Sequence, residues 1–218
     1  MSAAPPERPA VSRPSKGRVE AFSDGVFAVA ITLLVLGITL SRPAGHGHLW
    51  SALGELKYQY AAYAISFLTI GIMWVNHHNL MTNVITVDHA LLYRNLLLLS
   101  VVCFIPFPTG ILSEYVHGQD GSNMRAAIGL YGLTLIALSA AFTLLWIHVY
   151  RTPAIRVPWI AQPDIRTDMM RSGGSVLVYI AATALTPVAP WVTLIIFAVL
   201  VVVFAVARPR PQPREPDS

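Results

Sequence analysis

The stretch Arg18-Val19-Glu20-Ala21-Phe22-Ser23-Asp24-Gly25-Val26-Phe27-Ala28-Val29-Ala30-Ile31-Thr32-Leu33-Leu34-Val35-Leu36-Gly37-Ile38 decides the reading of this chain. A polar turn opens it, and no charged residue follows from Gly25 to Leu40. About 20 mostly apolar residues, wound as a helix, cross the roughly 30 Å hydrocarbon core of a bilayer. A membrane helix over about residues 19–40 is therefore expected, with an acid placed more than a turn inside it.

Working outward, five more apolar runs appear, at about 58–76, 91–112, 124–149, 175–186 and 191–207. The fifth is short. Pro187 and Pro190 separate it from the sixth, and proline rarely sits inside a continuous helix, so a tight hairpin is expected there. The fold class that follows is an all-α membrane protein with six transmembrane helices. Composition agrees: of 218 residues, 55% are apolar and 12% charged, about half the usual charged share. That excludes an ordinary soluble enzyme. Cys103 is the one cysteine, which excludes an intrachain disulfide and argues against a thiolate metal site. The net charge of +4 is spread over the chain ends and the gaps between apolar runs. A nucleic-acid binder would gather its cations on one face.

Basic residues collect on the cytoplasmic side of membrane helices. With the N-terminus inside, the inner segments hold Arg8, Arg13, Lys16, Arg18, Arg94, Arg151, Arg156, Arg166, Arg171, Arg208, Arg210 and Arg214. The outer segments hold Arg42, Lys57 and Arg125. Both termini are thus expected in the cytoplasm. Residues 1–17, rich in Pro and Ser, read as a disordered cytoplasmic tail, 18–207 as the six-helix domain and 208–218 as a second tail.

Polar side chains inside membrane helices are expensive and ask for a reason. Ser23 and Asp24 sit in the first helix, Trp74 and His77 at the end of the second, Asn95 at the start of the third. In this topology all lie at one depth. A hydrogen-bonded knot of these five is expected, since an ionised carboxylate in low dielectric needs donors. A plain interfacial belt is the other reading, and a proton relay through Asp24 and His77 a third. Adjacent side chains on a helix diverge by about 100°, so His77 and His78 are not expected to share a metal. His46 and His48 fall in an outer loop, where a metal or pH role has weak support, and Asp88 reads as a helix cap.

Beyond the knot, with Val29 taken as zero, Leu33 falls near +40°, Leu36 near −20° and Thr32 near −60° at about 100° per residue. These four form one stripe, and Ser23 and Asp24 point well away from it. Periodicity alone favours helix packing or lipid contact for the stripe.

The run Arg18-x-x-x-Phe22-Ser23-Asp24 at the opening of a first membrane helix resembles the hallmark of the bacterial potassium channels related to lysosomal transmembrane protein 175. Trp74-x-x-His77, Asp88, Asn95 and Pro106-Phe107-Pro108-Thr109 agree in order, so the resemblance spans about residues 16–113. It implies a channel domain over 18–207, assembled as a homotetramer whose first helices line a central pore. It places the hydrophobic constriction at Val29, Leu33 and Leu36, with Thr32 as a polar layer. It puts Arg18, Phe22, Ser23, Asp24, Trp74, His77 and Asn95 in a structural polar network. Val29 is smaller than the Ile or Leu often found at that constriction, which implies a wider pore there. The resemblance reverses the reading of the stripe.

No Thr-Val-Gly-Tyr-Gly filter is present, so carbonyl dehydration is not the expected selectivity device. No helix carries arginine at every third position, so voltage sensing is not expected either. The function implied is a leak-like, potassium-permeable cation channel with moderate preference for potassium over sodium. It would sit in a bacterial inner membrane among lipids, with permeant potassium and no cofactor, catalytic residue or nucleic-acid partner. The rivals are a proton-coupled carrier or proton channel, a membrane enzyme using Asp24, His77 and His78, and an assembly protein without transport.

Overall fold

The computed structural model describes residues 15–39, 49–116, 121–158 and 162–206. Helix α1 (Lys16–Leu33) tightens into a 3-10 turn over Leu34–Gly37. Then come α2 (Leu49–Glu55), α3 (Lys57–Thr82), α4 (His89–Phe104), α5 (Pro106–Tyr115), α6 (Gly121–Arg151), α7 (Gln162–Ala184) and α8 (Pro190–Val206). The β structure among the described residues is an isolated antiparallel bridge between Val84 and Arg156. Among the described residues, three stretches are long and apolar enough to cross a membrane: Lys16–Gly37, His89–Tyr115 and Gly121–Arg151. Pro190–Phe204 is a shorter apolar helix.

Several sequence-based boundaries move. The second helix runs on to Thr82, which brings His77 and His78 within it. The third breaks at Ile105 into α4 and α5 because Pro106 has no N–H to continue the ladder. Ile105 keeps right-handed helical angles, and Thr109 N–H still reaches the Ile105 carbonyl at 3.2 Å, so the rod bends without ending. The fifth helix was expected from 175 but begins at Gln162. A hydropathy reading misses this first half because it carries Arg166, Asp168 and Arg171. What holds α7 is packing against α6, with hydroxyl pairs Ser139–Ser175 and Thr143–Ser172 across the seam.

Two apolar cores result. One gathers Phe27, Ala30, Ile70, Leu91, Leu98, Leu138 and Leu145 from α1, α3, α4 and α6. The other joins α5 and α6 to α7 and α8 through Leu112, Ile128, Tyr131, Tyr179 and Phe197. At Gly132, α6 passes tightly against α7 and α8. A Cβ there would meet Thr183, with its Cγ2 at 2.8 Å, and Phe197 Cζ at 3.0 Å. Between α3, α5 and α6, Ser66 Oγ lies 2.8 Å from Thr109 Oγ1 and 3.0 Å from the Tyr131 hydroxyl.

Candidate functional site

Helix α1 has two faces. Val19, Ser23, Phe27, Ala30 and Leu34 are buried against the bundle. On the other side Val29, Leu33 and Leu36 are 54%, 42% and 69% exposed, and Thr32 is exposed with them. The 3-10 turn advances by about 120° per residue instead of 100°, so Leu36 swings about 40° from its α-helical azimuth. That moves it toward Leu33 and keeps it on the stripe. The Thr32 hydroxyl donates its proton to the Val29 carbonyl at 2.8 Å. Its lone pairs are left facing outward.

The buried face holds a chain of hydrogen bonds. Ser23 Oγ donates to the Val19 carbonyl at 2.8 Å and accepts from Asn95 Nδ2 at 2.9 Å. Asn95 Oδ1 lies 2.8 Å from His77 Nε2. With the Asn95 amide nitrogen committed to Ser23, its carbonyl oxygen is the acceptor, so His77 carries its proton on Nε2. The Phe27 ring tilts against the imidazole at 5.5 Å between centroids. Ser23, His77 and Asn95 are all buried. This chain pins α1 to α4 and α3 at once.

Asp24 takes no part in that chain. Its Oδ1 accepts from Trp74 Nε1 at 2.8 Å, and both residues are exposed. Of the residues expected in one network, the structure thus forms two separate sets. Arg18 and Phe22 join neither. The Arg18 side chain is exposed, with no ion pair or hydrogen bond to a described residue, and Phe22 is 55% exposed. The helical wheel gives the reason: Arg18 falls near −20° and Phe22 near +20° of Val29, on the stripe and not on the polar side.

His77 and His78 diverge. His77 is buried, whereas His78 is exposed with its ring 6.4 Å from Trp74. No group of three His, Cys, Asp or Glu among the described residues is placed to hold a metal. His46 and His48 lie outside the described residues. Cys103 is exposed.

Asp88 caps α4 by accepting from Leu91 N–H at 2.7 Å. It also meets a partner that no sequence spacing announced. His148 Nε2, near the end of α6, lies 2.9 Å from both carboxylate oxygens. Burial pushes the Asp88 carboxyl upward, but the Leu91 N–H, the His148 bond and charge and the Arg94 charge outweigh it. They hold the group below the usual carboxylate range. The surrounding loops are clasped by Ile85 N–H to the Ile155 carbonyl at 2.9 Å and Val157 N–H to the Asn83 carbonyl at 3.1 Å.

Residues 18–106 match the family model described as endosomal/lysosomal potassium channel TMEM175. A protein of Streptomyces collinus named as a potassium channel is 49% identical over 155 residues, covering 71% of this chain and 74% of its own. A crystal structure of a lysosomal potassium-selective channel TMEM175 homolog from Chamaesiphon minutus superposes with a TM-score of 0.76. It is 37% identical, and the match covers 88% of this chain and 96% of that one. A mouse protein named endosomal/lysosomal proton channel TMEM175 is 40% identical over 155 residues, which span 65% of this chain and 31% of the mouse protein.

Proposed function

We propose, from the premise that this chain belongs to the endosomal/lysosomal potassium channel TMEM175 family, that it is a potassium-permeable cation channel whose α1 stripe lines a central pore. Four copies surround the axis, each contributing Val29, Thr32, Leu33 and Leu36. The protein sits in a bacterial inner membrane with six spans per subunit and both termini in the cytoplasm.

The observation that carries this reading is the exposed face of α1. Its opposite face is fixed to α3 and α4 by Ser23, Asn95 and His77, and the described residues of its own chain leave the stripe exposed. Narrow aliphatic rings lose their water and close a pore by dewetting. A small outward rotation widens them and passes a partly hydrated ion. The Thr32 hydroxyl, its proton held by the Val29 carbonyl, presents lone pairs that replace part of the hydration shell and favour potassium modestly. Potassium and bilayer lipids are its partners, and conduction is leak-like. The relatives reported above are named as channels, and Asp24 and His77 face different partners, so the membrane-enzyme reading is set aside.

The test is a reversal-potential measurement on purified protein in a planar bilayer under opposed potassium and sodium gradients. A shift toward the potassium equilibrium potential is expected. Zero current, or a reversal that follows sodium and potassium equally, overturns the selectivity. In liposomes, Leu33→Ala raises resting potassium flux; unchanged flux removes the stripe from the pore. The mouse relative's name favours one second reading, proton permeation, which a reversal shift under a pH gradient alone would reveal.

A further inference from the structure

The α winding of the first helix stops before its stripe does. After Leu33 comes the 3-10 turn Leu34–Gly37, and Ile38 (φ −89°, ψ 99°) is extended. Ile38 N–H closes the turn by donating to the Val35 carbonyl at 3.0 Å. The next donor, Thr39 N–H, goes to Gln59 Oε1 of α3 at 2.9 Å. Were the α-helix to continue, that same N–H would go to Val35, four residues back. Gln59 therefore competes with the Val35 carbonyl for one donor. The two windings differ in length as well: four residues of 3-10 helix rise about 2 Å more than four of α-helix. Rewinding displaces Thr39 along α3, so the bond to Gln59 belongs to the 3-10 form alone. The back of the turn is seated, with Leu34 buried and both α3 and α5 packed on it.

We infer that Gln59 is a positioning residue for ion preference: by holding the Thr39 N–H it keeps the outer turn in 3-10 winding, which leaves the Thr32 hydroxyl uncovered. The inference rests on the α1-lined pore and the Thr32 layer proposed above. Residues three apart eclipse in a 3-10 turn, so Leu36 stands over Leu33, about 20° from it and about 80° from Thr32. In α winding a side chain leans back over the turn that precedes it. Leu36 then falls about 40° from Thr32 and about 60° from Leu33. Its isobutyl group screens the lone pairs that Thr32 turns outward once its proton is given to the Val29 carbonyl. These relations are internal to one chain. Gln59 touches no ion and acts through Thr39 and Leu36.

The experiment measures reversal potentials of the purified channel in planar bilayers, with potassium chloride on one side and sodium chloride on the other. Wild type is expected to reverse toward the potassium equilibrium potential. Gln59→Leu removes the acceptor and moves the reversal about halfway to the Thr32→Ala value, since losing one hydrogen bond shifts such an equilibrium by about two- to tenfold. Gln59→Glu still offers an oxygen to Thr39 and reverses like wild type. Thr39→Pro has no N–H with which to continue the helix, and its ring suits the extended Ile38 before it. It keeps the wild-type reversal and restores it in Gln59→Leu. A merely structural bond predicts lower stability in both Gln59→Leu and Thr39→Pro with the reversal unmoved. A wild-type reversal in Gln59→Leu beside a lost preference in Thr32→Ala overturns the role of Gln59 alone, as does a loss in Gln59→Leu that Thr39→Pro does not restore. Thr32→Ala reversing like wild type, or a wild type without preference, overturns the Thr32 layer and the inference with it. Should Gln59→Leu not assemble, Gln59→Asn, whose oxygen falls one methylene short of Thr39, is measured in its place.

Discussion

Ser23 and Asp24 are neighbours in sequence and opposites in environment. Ser23 is enclosed between α1 and α4, and every bond it makes lies inside the bundle. Asp24 is exposed, with one indole N–H against it. The step of about 100° between adjacent helical positions turns one residue into the protein and the other toward its margin. The difference teaches which part of the polar region holds the subunit together. A buried polar group without its partner costs about 1–3 kcal/mol, whereas an exposed pair competes with water and contributes below about 1 kcal/mol.

The largest effect is expected at Phe27, which shares the buried face with Ser23 and packs on His77. Phe27→Ala leaves a cavity among α1, α3 and α4 and costs about 3–5 kcal/mol, seen as a large fall in the thermal midpoint in detergent. A cost under about 1 kcal/mol would mean that α1 is held by its exposed side instead. Next is Asn95→Leu, which keeps the volume but removes both the donor to Ser23 and the acceptor for His77. A loss of about 2–4 kcal/mol is expected, because the buried His77 N–H is stranded and Ser23, still bonded to the Val19 carbonyl, loses its donor. Ser23→Ala removes less, since Asn95 keeps its bond to His77. If Asn95→Leu cost no more than Ser23→Ala, the buried chain would not act as a unit.

A smaller effect is expected at the clasp, which resembles the exposed set more than the buried one. The Asp88 side chain is 37% exposed. Its carboxyl is held below the usual range, so its contribution is present above the ordinary carboxylate pKa and fades as pH falls through the depressed value. Asp88→Asn retains a capping side chain and loses the charge toward His148. The difference from wild type is expected below about 1 kcal/mol near neutrality, discounted for exposure, and smaller still in strong acid. Unfolding curves collected down the acid range check it. A gap that widens in acid would contradict the sign.

How much of this was legible in the sequence depended on the range of the interaction. The polar turn at Ser23 and Asp24 and the stripe at Val29 are local patterns with a helical period, and they show on a wheel. The same wheel places Arg18 and Phe22 on the stripe. The resemblance puts both in the polar network, yet contiguity in a motif says nothing about azimuth. The meeting of α1, α3 and α4 at one depth follows from topology, but its division into two sets depends on side-chain direction. His148 was invisible, because Asp88 lies 60 positions away and no spacing rule links them. The early start of α7 was hidden by its charges, since its stabilising contacts with α6 are hydroxyl pairs and packing that hydropathy does not count.

The smallest effect is expected at Trp74. Trp74→Phe keeps most of the apolar surface and deletes the N–H that reaches Asp24. Water replaces that donor at an exposed carboxylate, so subunit stability is expected to fall by no more than about 0.5 kcal/mol. The same variant tests what lies beyond the single chain. Asp24 falls near −140° of Val29, on the flank of α1 and off the axis of the proposed pore. A neighbouring subunit packed on that flank would desolvate the pair and raise its worth. A loss near 2 kcal/mol in the assembled channel, against a negligible one in a dissociated subunit, would place the Asp24–Trp74 bond at a contact between copies. Equal small losses in both would leave it a surface bond, and only the buried partner of Ser23 would anchor the helix.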